Sequence, residues 1–383
     1  MGRLILPSVV VGVMISIPSC GDPRPHLGQG AVFLGSQASP LTEVTEPVVR
    51  YRLGEPEGPG MIFQGDVMTM APAPPEGILV FTAYTSDGPI QLFRSGRLDR
   101  EFGRRGSGPG EYQFPSGLVV DPSTGRVWVG DGLRMVSFLP DGSPGPTLDA
   151  SHAGSSVWDR LFLPDGSLLL VGPGGTADNF GYLLHRYDFT TRTWSSHLPA
   201  ARDTAFVPLG QPRVWQRKLA LSPDGKVLLT SHDYEILVLD PRQGFEIERT
   251  IVRRPPGWPE DPAFDHAQGR HEHPLYPGFA LVDTWSDPQG RMWVITAQPK
   301  ANWKDDLIEA TEGGQHGGFM RAGPDYGTDS LVEVLDPETW EVLGSWSFAG
   351  ALRYIIGPGL VARYGGDLPF PRIEVLEVPF QEE

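Results

Sequence analysis

One turn signal recurs along the chain, each time just before a short run of β-forming residues. Pro75-Glu76-Gly77 precedes Ile78-Leu79-Val80-Phe81, Ser123-Thr124-Gly125 precedes Arg126-Val127-Trp128-Val129, and Pro164-Asp165-Gly166 precedes Ser167-Leu168-Leu169-Leu170. Pro223-Asp224-Gly225, Pro288-Gln289-Gly290 and Pro358-Gly359 stand in the same relation to Val227-Leu228-Leu229, Met292-Trp293-Val294 and Leu360-Val361-Ala362. The glycine-to-glycine spacings are 48, 41, 59, 65 and 69 residues. A four-stranded propeller blade needs about 40–50 residues, and loop insertions lengthen it. The repeat therefore predicts an all-β chain folded as a single six-bladed β-propeller of four-stranded antiparallel blades.

The ends of the chain test that count. Only 24 residues follow Gly359, enough for two strands and not for the rest of a blade. Ahead of Gly77 lies the alternating run Val48-Val49-Arg50-Tyr51-Arg52-Leu53. The ring is expected to close by pairing this run with the stretch from Ile373 to Val378, which leaves no open seam. The 48 glycines and 39 prolines fit this reading, because short strands need many corners. Disorder is the poorer account, since 39% hydrophobic and 10% aromatic residues suffice for a core. A formal net charge of −16 argues against nucleic acid as a partner and against a basic patch holding an anionic membrane.

The first residues carry a different message. Met1-Gly2-Arg3 is a short basic start, and the apolar run from Leu4 to Ile17 is too short for a membrane span. It reads as the core of an export signal. Ile17-Pro18-Ser19-Cys20 follows and resembles a bacterial lipobox, with Cys20 as the lipidated residue. Residues 1–20 are thus assigned to a lipoprotein signal peptide, 21–43 to a flexible tether rich in Pro, Gly and Ser, and 44–383 to the propeller. The membrane is a partner through the anchor alone, and the location is the bacterial cell envelope, on the periplasmic or outer surface. As Cys20 is the sole cysteine, the domain has no internal disulfide and stands on packing.

The segment from Phe102 to Asp121, Phe-Gly-Arg-Arg-Gly-Ser-Gly-Pro-Gly-Glu-Tyr-Gln-Phe-Pro-Ser-Gly-Leu-Val-Val-Asp, continues through Gly125 to Asp131 and Arg134 to Gly142. It resembles an NHL repeat over about 40 residues, with Leu133 standing where that repeat usually has asparagine. The chain as a whole is similar to the six-bladed, NHL-like propeller lipoproteins of bacteria. That resemblance implies a fold more than a function. It also admits a metal-assisted lactonase or lyase, because enzymes of those kinds use similar frames.

Loop lengths point to the working face. The turns between first and second strands, and between third and fourth, are short and share one face. The long connections, 104–115, 200–215, 253–278 and 298–328, gather on the other. On or beside that face lie Arg105, able to grip a carboxylate or phosphate, Asp131, and the pair His232-Asp233, in which a carboxylate can orient an imidazole. Trp158 and Trp285 add aromatic surface for a sugar or a protein, while Trp128 and Trp293 read as core. His266, His271 and His273 are weak metal candidates in an irregular loop. No nucleophile elbow, P-loop or dinucleotide fingerprint occurs in the sequence. The leading expectation is a binding or scaffold module, a monomeric domain whose long-loop face meets a protein, peptide or carbohydrate. The alternative is a metal-assisted enzyme at the channel mouth. No cofactor is assigned, and a divalent cation in the channel belongs only to that alternative.

Cys20→Ala is expected to release the protein from membrane fractions or to stall its processing. A variant cleaved and retained on the membrane like the wild type would place the anchor elsewhere.

Overall fold

The computed structural model describes residues 31–34, 41–54, 67–73, 76–82, 88–199, 217–260, 265, 268–269, 276–309, 319–321, 327–365 and 372–380. Six antiparallel blades of four strands each form a propeller. Blade 1 comprises Val67–Ala73, Gly77–Thr82, Ile90–Arg94 and Arg97–Phe102, from the channel outward. Blade 2 comprises Pro115–Val120, Val127–Asp131, Arg134–Phe138 and Pro144–Asp149, and blade 3 comprises Asp159–Phe162, Leu168–Val171, Tyr182–Asp188 and Thr193–Pro199. Blade 4 is Lys218–Leu221, Val227–Thr230, Glu235–Asp240 and Glu246–Arg253, and blade 5 is Ala280–Ser286, Met292–Pro299, Thr328–Leu335 and Val342–Phe348. The innermost strands of successive blades touch one another, and that of blade 6 touches that of blade 1.

The recurring turn signal has a local cause. In Pro164-Asp165-Gly166, the Asp165 carboxylate accepts from the Ser167 amide at 2.9 Å and the Ser167 hydroxyl at 2.6 Å. Gly166 then sits at φ 81°, in the left-handed region that glycine enters without a Cβ clash. The Leu163 and Ser167 backbones close the turn, with an N–H···O contact of 2.8 Å.

Strand alternation sends side chains into the gaps between blades, so the core is a ring of inter-blade clusters. Leu161, Leu169, Leu229 and Leu237 pack between blades 3 and 4, and Trp128, Phe162 and Leu170 between blades 2 and 3. Trp293, Trp346 and Leu376 fill the gap between blades 5 and 6. Trp128 and Trp293 are 2% and 0% exposed, as the turn offset anticipated.

Blade 6 is assembled from both ends of the chain. Leu352–Gly357, Leu360–Gly365 and Arg372–Glu377 supply its inner strands, and Val49–Leu53 supplies the outer one. The register pairs Tyr51 with Val375, Arg52 with Glu374 and Leu53 with Ile373. This is the closure expected from the alternating run. Leu53 is fully buried and joins Met70, Val80 and Phe93 of blade 1 against Ile373 and Val375.

One expectation needs correction. Ala31–Leu34 and Thr42–Val44 are strands, although Ala31–Leu34, Thr42 and Glu43 fall in the stretch assigned to the tether. The first pairs in parallel with the outer strand of blade 4, from Ala31 opposite Thr250 to Leu34 opposite Arg253. The second pairs in parallel with that of blade 5. Strands this short carry too few residues to show a period of two, and their stability comes from the edge they cover.

A fully buried ion pair ties blade 4 to blade 5. Arg253 on the outer strand of blade 4 donates to Glu333 on the third strand of blade 5 at 2.7 Å, with side chains 1% and 0% exposed. Tyr234 donates its hydroxyl to the same carboxylate at 3.0 Å. Burial, and the Glu333 charge beside it, push the Tyr234 hydroxyl well above its ordinary pKa, so it stays a donor.

Deleting residues 44–54 should expose strand edges on both sides of the closure and give insoluble or aggregating protein. Deleting 21–30 should be nearly neutral. Equal solubility of the two truncations, by sedimentation of the expressed protein, would count against closure by this strand.

Candidate functional site

Each blade's inner strand starts on the face that carries the long connections. At that end, four charged side chains from three blades surround the channel mouth. Lys218 of blade 4 pairs with Asp283 of blade 5, Nζ to Oδ1 3.2 Å. Asp283 also accepts from the Ile355 amide of blade 6 at 2.9 Å. Asp159 of blade 3 accepts from the Leu219 amide of blade 4 at 2.8 Å. Arg160 reaches back to blade 2 and donates to the Ser116 carbonyl at 2.9 Å. Its guanidinium lies over Gly117 and Gly130, where a Cβ would stand 2.6 and 3.1 Å from its nitrogens. Burial lowers the Arg160 pKa to about 10. Burial also opposes the Lys218 charge, but Asp283 and Asp159 outweigh it and hold the ammonium above its ordinary value. Asp283 is raised by burial, against the pull of Lys218.

Sequence reasoning overlooked this group. Its signal was present: Asp159-Arg160 and Arg217-Lys218 are charged pairs at the start of runs that otherwise read as buried strands.

The sequence candidates fall in several places. Asp131 is 5% exposed and accepts from the Gln113 amide at 2.8 Å, from the Phe114 amide, and from Arg134 at 2.7 Å. It thus pins the loop between blades 1 and 2. Arg105 is exposed on that loop, beside Arg104, which pairs with Glu111 at 2.6 Å. His232 and Asp233 do meet, Nδ1 to Oδ1 3.6 Å, with side chains 10% and 25% exposed. Burial would raise the Asp233 carboxyl, but the His232 hydrogen bond and the charges of His232, Arg254 and Arg217 hold it below its usual range. Trp158 and Trp285 are half-buried and pack against the inter-blade clusters of blades 3 and 4 and of blades 5 and 6. Cys20, His266, His271 and His273 lie outside the described residues. Among the described residues, no three His, Cys, Asp or Glu side chains form a group able to hold a metal ion.

The long-loop face carries exposed apolar side chains instead. Phe114, Leu133 and Phe180 are 71%, 53% and 70% exposed. Phe114 and Leu133 belong to neighbouring turns joined by the Gly132 amide, which donates to the Phe114 carbonyl at 3.1 Å. Leu133 and Phe180 border a cleft of about 470 Å³, whose other walls are Gly154, Ser155, Ser156 and the stretch from Pro173 to Ala177. No charged residue lines it. A smaller cleft of about 340 Å³ lies on the short-turn side between blades 4 and 5. That one is charged, and its Lys226 is already paired with Glu248 and Asp224.

Behind the first cleft runs a chain of hydrogen bonds with defined direction. His185 is fully buried, and its Nε2 faces the Gly172 carbonyl at 3.2 Å, so Nε2 carries the proton. Nδ1 is then an acceptor, and the Ser196 hydroxyl donates to it at 3.0 Å. His152 Nε2 in turn donates to Ser196 Oγ at 2.9 Å, its ring stacked on Trp194. The His152 carbonyl accepts from the Gly175 amide and from Asn179, which fixes the glycine-rich lip.

No family model matches the chain, and no curated protein matches it. Solved structures do. A protein from Bacteroides fragilis, whose name gives it as exported, aligns at a TM-score of 0.52 and 11% identity, over 88% of this chain and 97% of its own. A β-propeller domain from Myceliophteria thermophila aligns at 0.42 and 10% identity, over 84% and 99%. The first likeness is one of fold. No helix among the described residues is long and apolar enough to cross a membrane.

Burial lowers the His185 pKa from 6.5 to about 4, so the folded state resists taking up a proton there. Stability from this neutral imidazole is complete above pH 6.5 and is lost as the pH falls through about 4. The full loss is on the order of 3 kcal/mol. Denaturant midpoints from pH 7 to 4 should fall less steeply in His185→Gln than in the wild type. Equal slopes would mean that His185 does not titrate in this way.

Proposed function

We propose that this chain is a binding module held in the bacterial envelope by a lipid on Cys20, and that it takes a protein or peptide partner on its long-loop face. The observation that carries the reading is the exposure of Leu133 and Phe180 on the rim of an uncharged cleft, with exposed Phe114 on the turn bonded next to Leu133. Exposed apolar side chains scattered singly need no explanation, whereas a group beside a cleft marks a contact surface. The chain is strongly acidic, with a net charge of −16, so an uncharged patch on it is where a partner loses least water from ions. Asp131 serves that surface by holding the backbone from which Phe114 projects. Arg105, on the same loop, supplies a peripheral positive charge for orientation. Export, lipidation and kinship with NHL-like propellers rest on the signal-like start, the lipobox-like Ile17-Pro18-Ser19-Cys20 and the repeat-like stretch from Phe102 to Gly142.

Photo-crosslinkers placed at Leu133 and at Phe180 should give discrete adducts in intact envelopes, while those at Asp141 and Glu338 on the short-turn face should not. With the captured partner purified, Phe180→Ser and Leu133→Asp should each weaken binding by more than about 1 kcal/mol. Adducts confined to the Asp141 and Glu338 positions would move the working face to the other side.

A further inference from the structure

The outer strand of a blade presents an open row of backbone donors and acceptors, which sheets guard with charge, with proline or with a covering strand. Blades 4 and 5 are covered by Ala31–Leu34 and Thr42–Val44. The outer strand of blade 1 carries Arg97, Asp99, Arg100 and Glu101. That of blade 2 holds Pro144 and Pro146, which have no N–H to donate. That of blade 6 carries Arg50 and Arg52, paired with Glu377 and Glu374.

Blade 3 is the exception. Thr193–Pro199 reads Thr-Trp-Ser-Ser-His-Leu-Pro, without Asp, Glu, Lys or Arg, and its one proline is the last residue. It pairs with Tyr182–Asp188 on its inner side. On its outer side the backbone from Thr193 to His197 has no partner among the described residues. Thr193 and Ser195 are exposed. A left-handed residue, Leu198 at φ 54°, ends the regular stretch at His197. What remains is longer than the strands of 4 and 3 residues that cover blades 4 and 5.

We infer that the outer edge of blade 3 is a docking strand, which takes an extended segment of a partner polypeptide as a fifth strand in parallel. This surface is separate from the long-loop patch. The occupant's chemistry follows from the chain's own covering strands, which already use this mode on the next two blades. Leu34 packs on the cluster between blades 4 and 5, and Val44 on that between blades 5 and 6. Each covering strand thus adds one aliphatic side chain to the following inter-blade groove. On blade 3 that groove holds His197 and Phe245, with ring centroids 4.7 Å apart. The segment that fits is extended, carries no charge against the edge, and presents an aliphatic residue toward the half-buried His197 ring, which packs on the buried Phe245. Backbone pairing supplies affinity, and the groove supplies selection.

The probe is a labelled synthetic peptide with the sequence of residues 29–36, Gln-Gly-Ala-Val-Phe-Leu-Gly-Ser, titrated against the full chain by fluorescence anisotropy. Saturable binding is expected, weakened at least tenfold by Ser195→Lys and unchanged by Thr147→Lys on the guarded edge of blade 2. Circular dichroism and thermal midpoints confirm that both variants fold. Absence of binding at millimolar peptide overturns the proposal. So does binding that Ser195→Lys leaves intact, which would mean that the peptide displaces the chain's own strand from blade 4. Self-association abolished by Ser195→Lys, without peptide binding, overturns it in favour of a second copy as the occupant.

Discussion

The fold depends on the pairing of Val49–Leu53 with Arg372–Glu377. A propeller's core lies between blades, so every blade needs a neighbour on both sides. A missing outer strand in the last blade would weaken two gaps together. Leu53 shows why: it is the outer-strand residue that reaches across to Met70, Val80 and Phe93 of blade 1. Closure also joins residues more than 300 positions apart, as in the contact of Arg52 with Glu374. Such a contact forms only after the intervening blades have brought the ends together. The upstream strands at 31–34 and 42–44 extend the same N-terminal segment across blades 4 and 5, so its attachment is distributed over three blades.

The division of labour between faces follows from turn chemistry. On one face the chain turns within a few residues, using a residue in the left-handed region (Gly142, Gly166, Arg192 or Trp340) and an aspartate that binds the amide two residues on. Asp141, Asp165, Asp188 and Asp336 all do this, and these hydrogen bonds keep their carboxyls below the usual range. Such turns are rigid and offer little area. The other face receives every connection between blades, and length there is tolerated because the strands beneath it are already fixed. Asp131 shows how the frame still governs that face. A buried carboxylate at the end of a strand holds two amides of a loop, and the loop then carries Phe114 into solvent.

Much of this was legible in the sequence, and the exceptions have physical reasons. The glycine turns and the alternating run at 48–53 were readable because each uses a strong local rule. Trp128 and Trp293 were placed in the core by their offset from a turn glycine. Asp131 drew attention as a possible ligand for a partner, because a carboxylate at a strand end looks the same whether it binds a loop amide or a foreign group. Phe114, Leu133 and Phe180 gave no signal at all, since apolar residues in a chain of this kind are presumed buried until the fold exposes them. Ala31–Leu34 escaped notice because four residues in a stretch rich in Gly, Pro and Ser are too few to show a period of two, and its strand is completed by the edge of blade 4.

The charged group at the channel mouth is best understood as a set of bonds between blades. Arg160 joins blade 3 to blade 2, Asp159 joins blade 3 to blade 4, Lys218 joins blade 4 to blade 5, and Asp283 joins blade 5 to blade 6. Every one of these contacts crosses a blade boundary, and together they run round the channel from blade 2 to blade 6. The inner strands already give Leu161, Leu219 and Leu281 to the inter-blade apolar clusters, and the polar contacts add direction to that packing. Directional hydrogen bonds fix both distance and angle, which apolar contact does not. The arrangement demands full pairing, because a charge left alone there would cost several kcal/mol. Arg160 is the member closest to that limit: its Nε is buried without a hydrogen-bond partner, and burial lowers its pKa. The Ser116 carbonyl and the two glycines beneath the guanidinium are therefore as necessary as the charge itself. A side chain at Gly117 or Gly130 would push Arg160 off the carbonyl that justifies its burial.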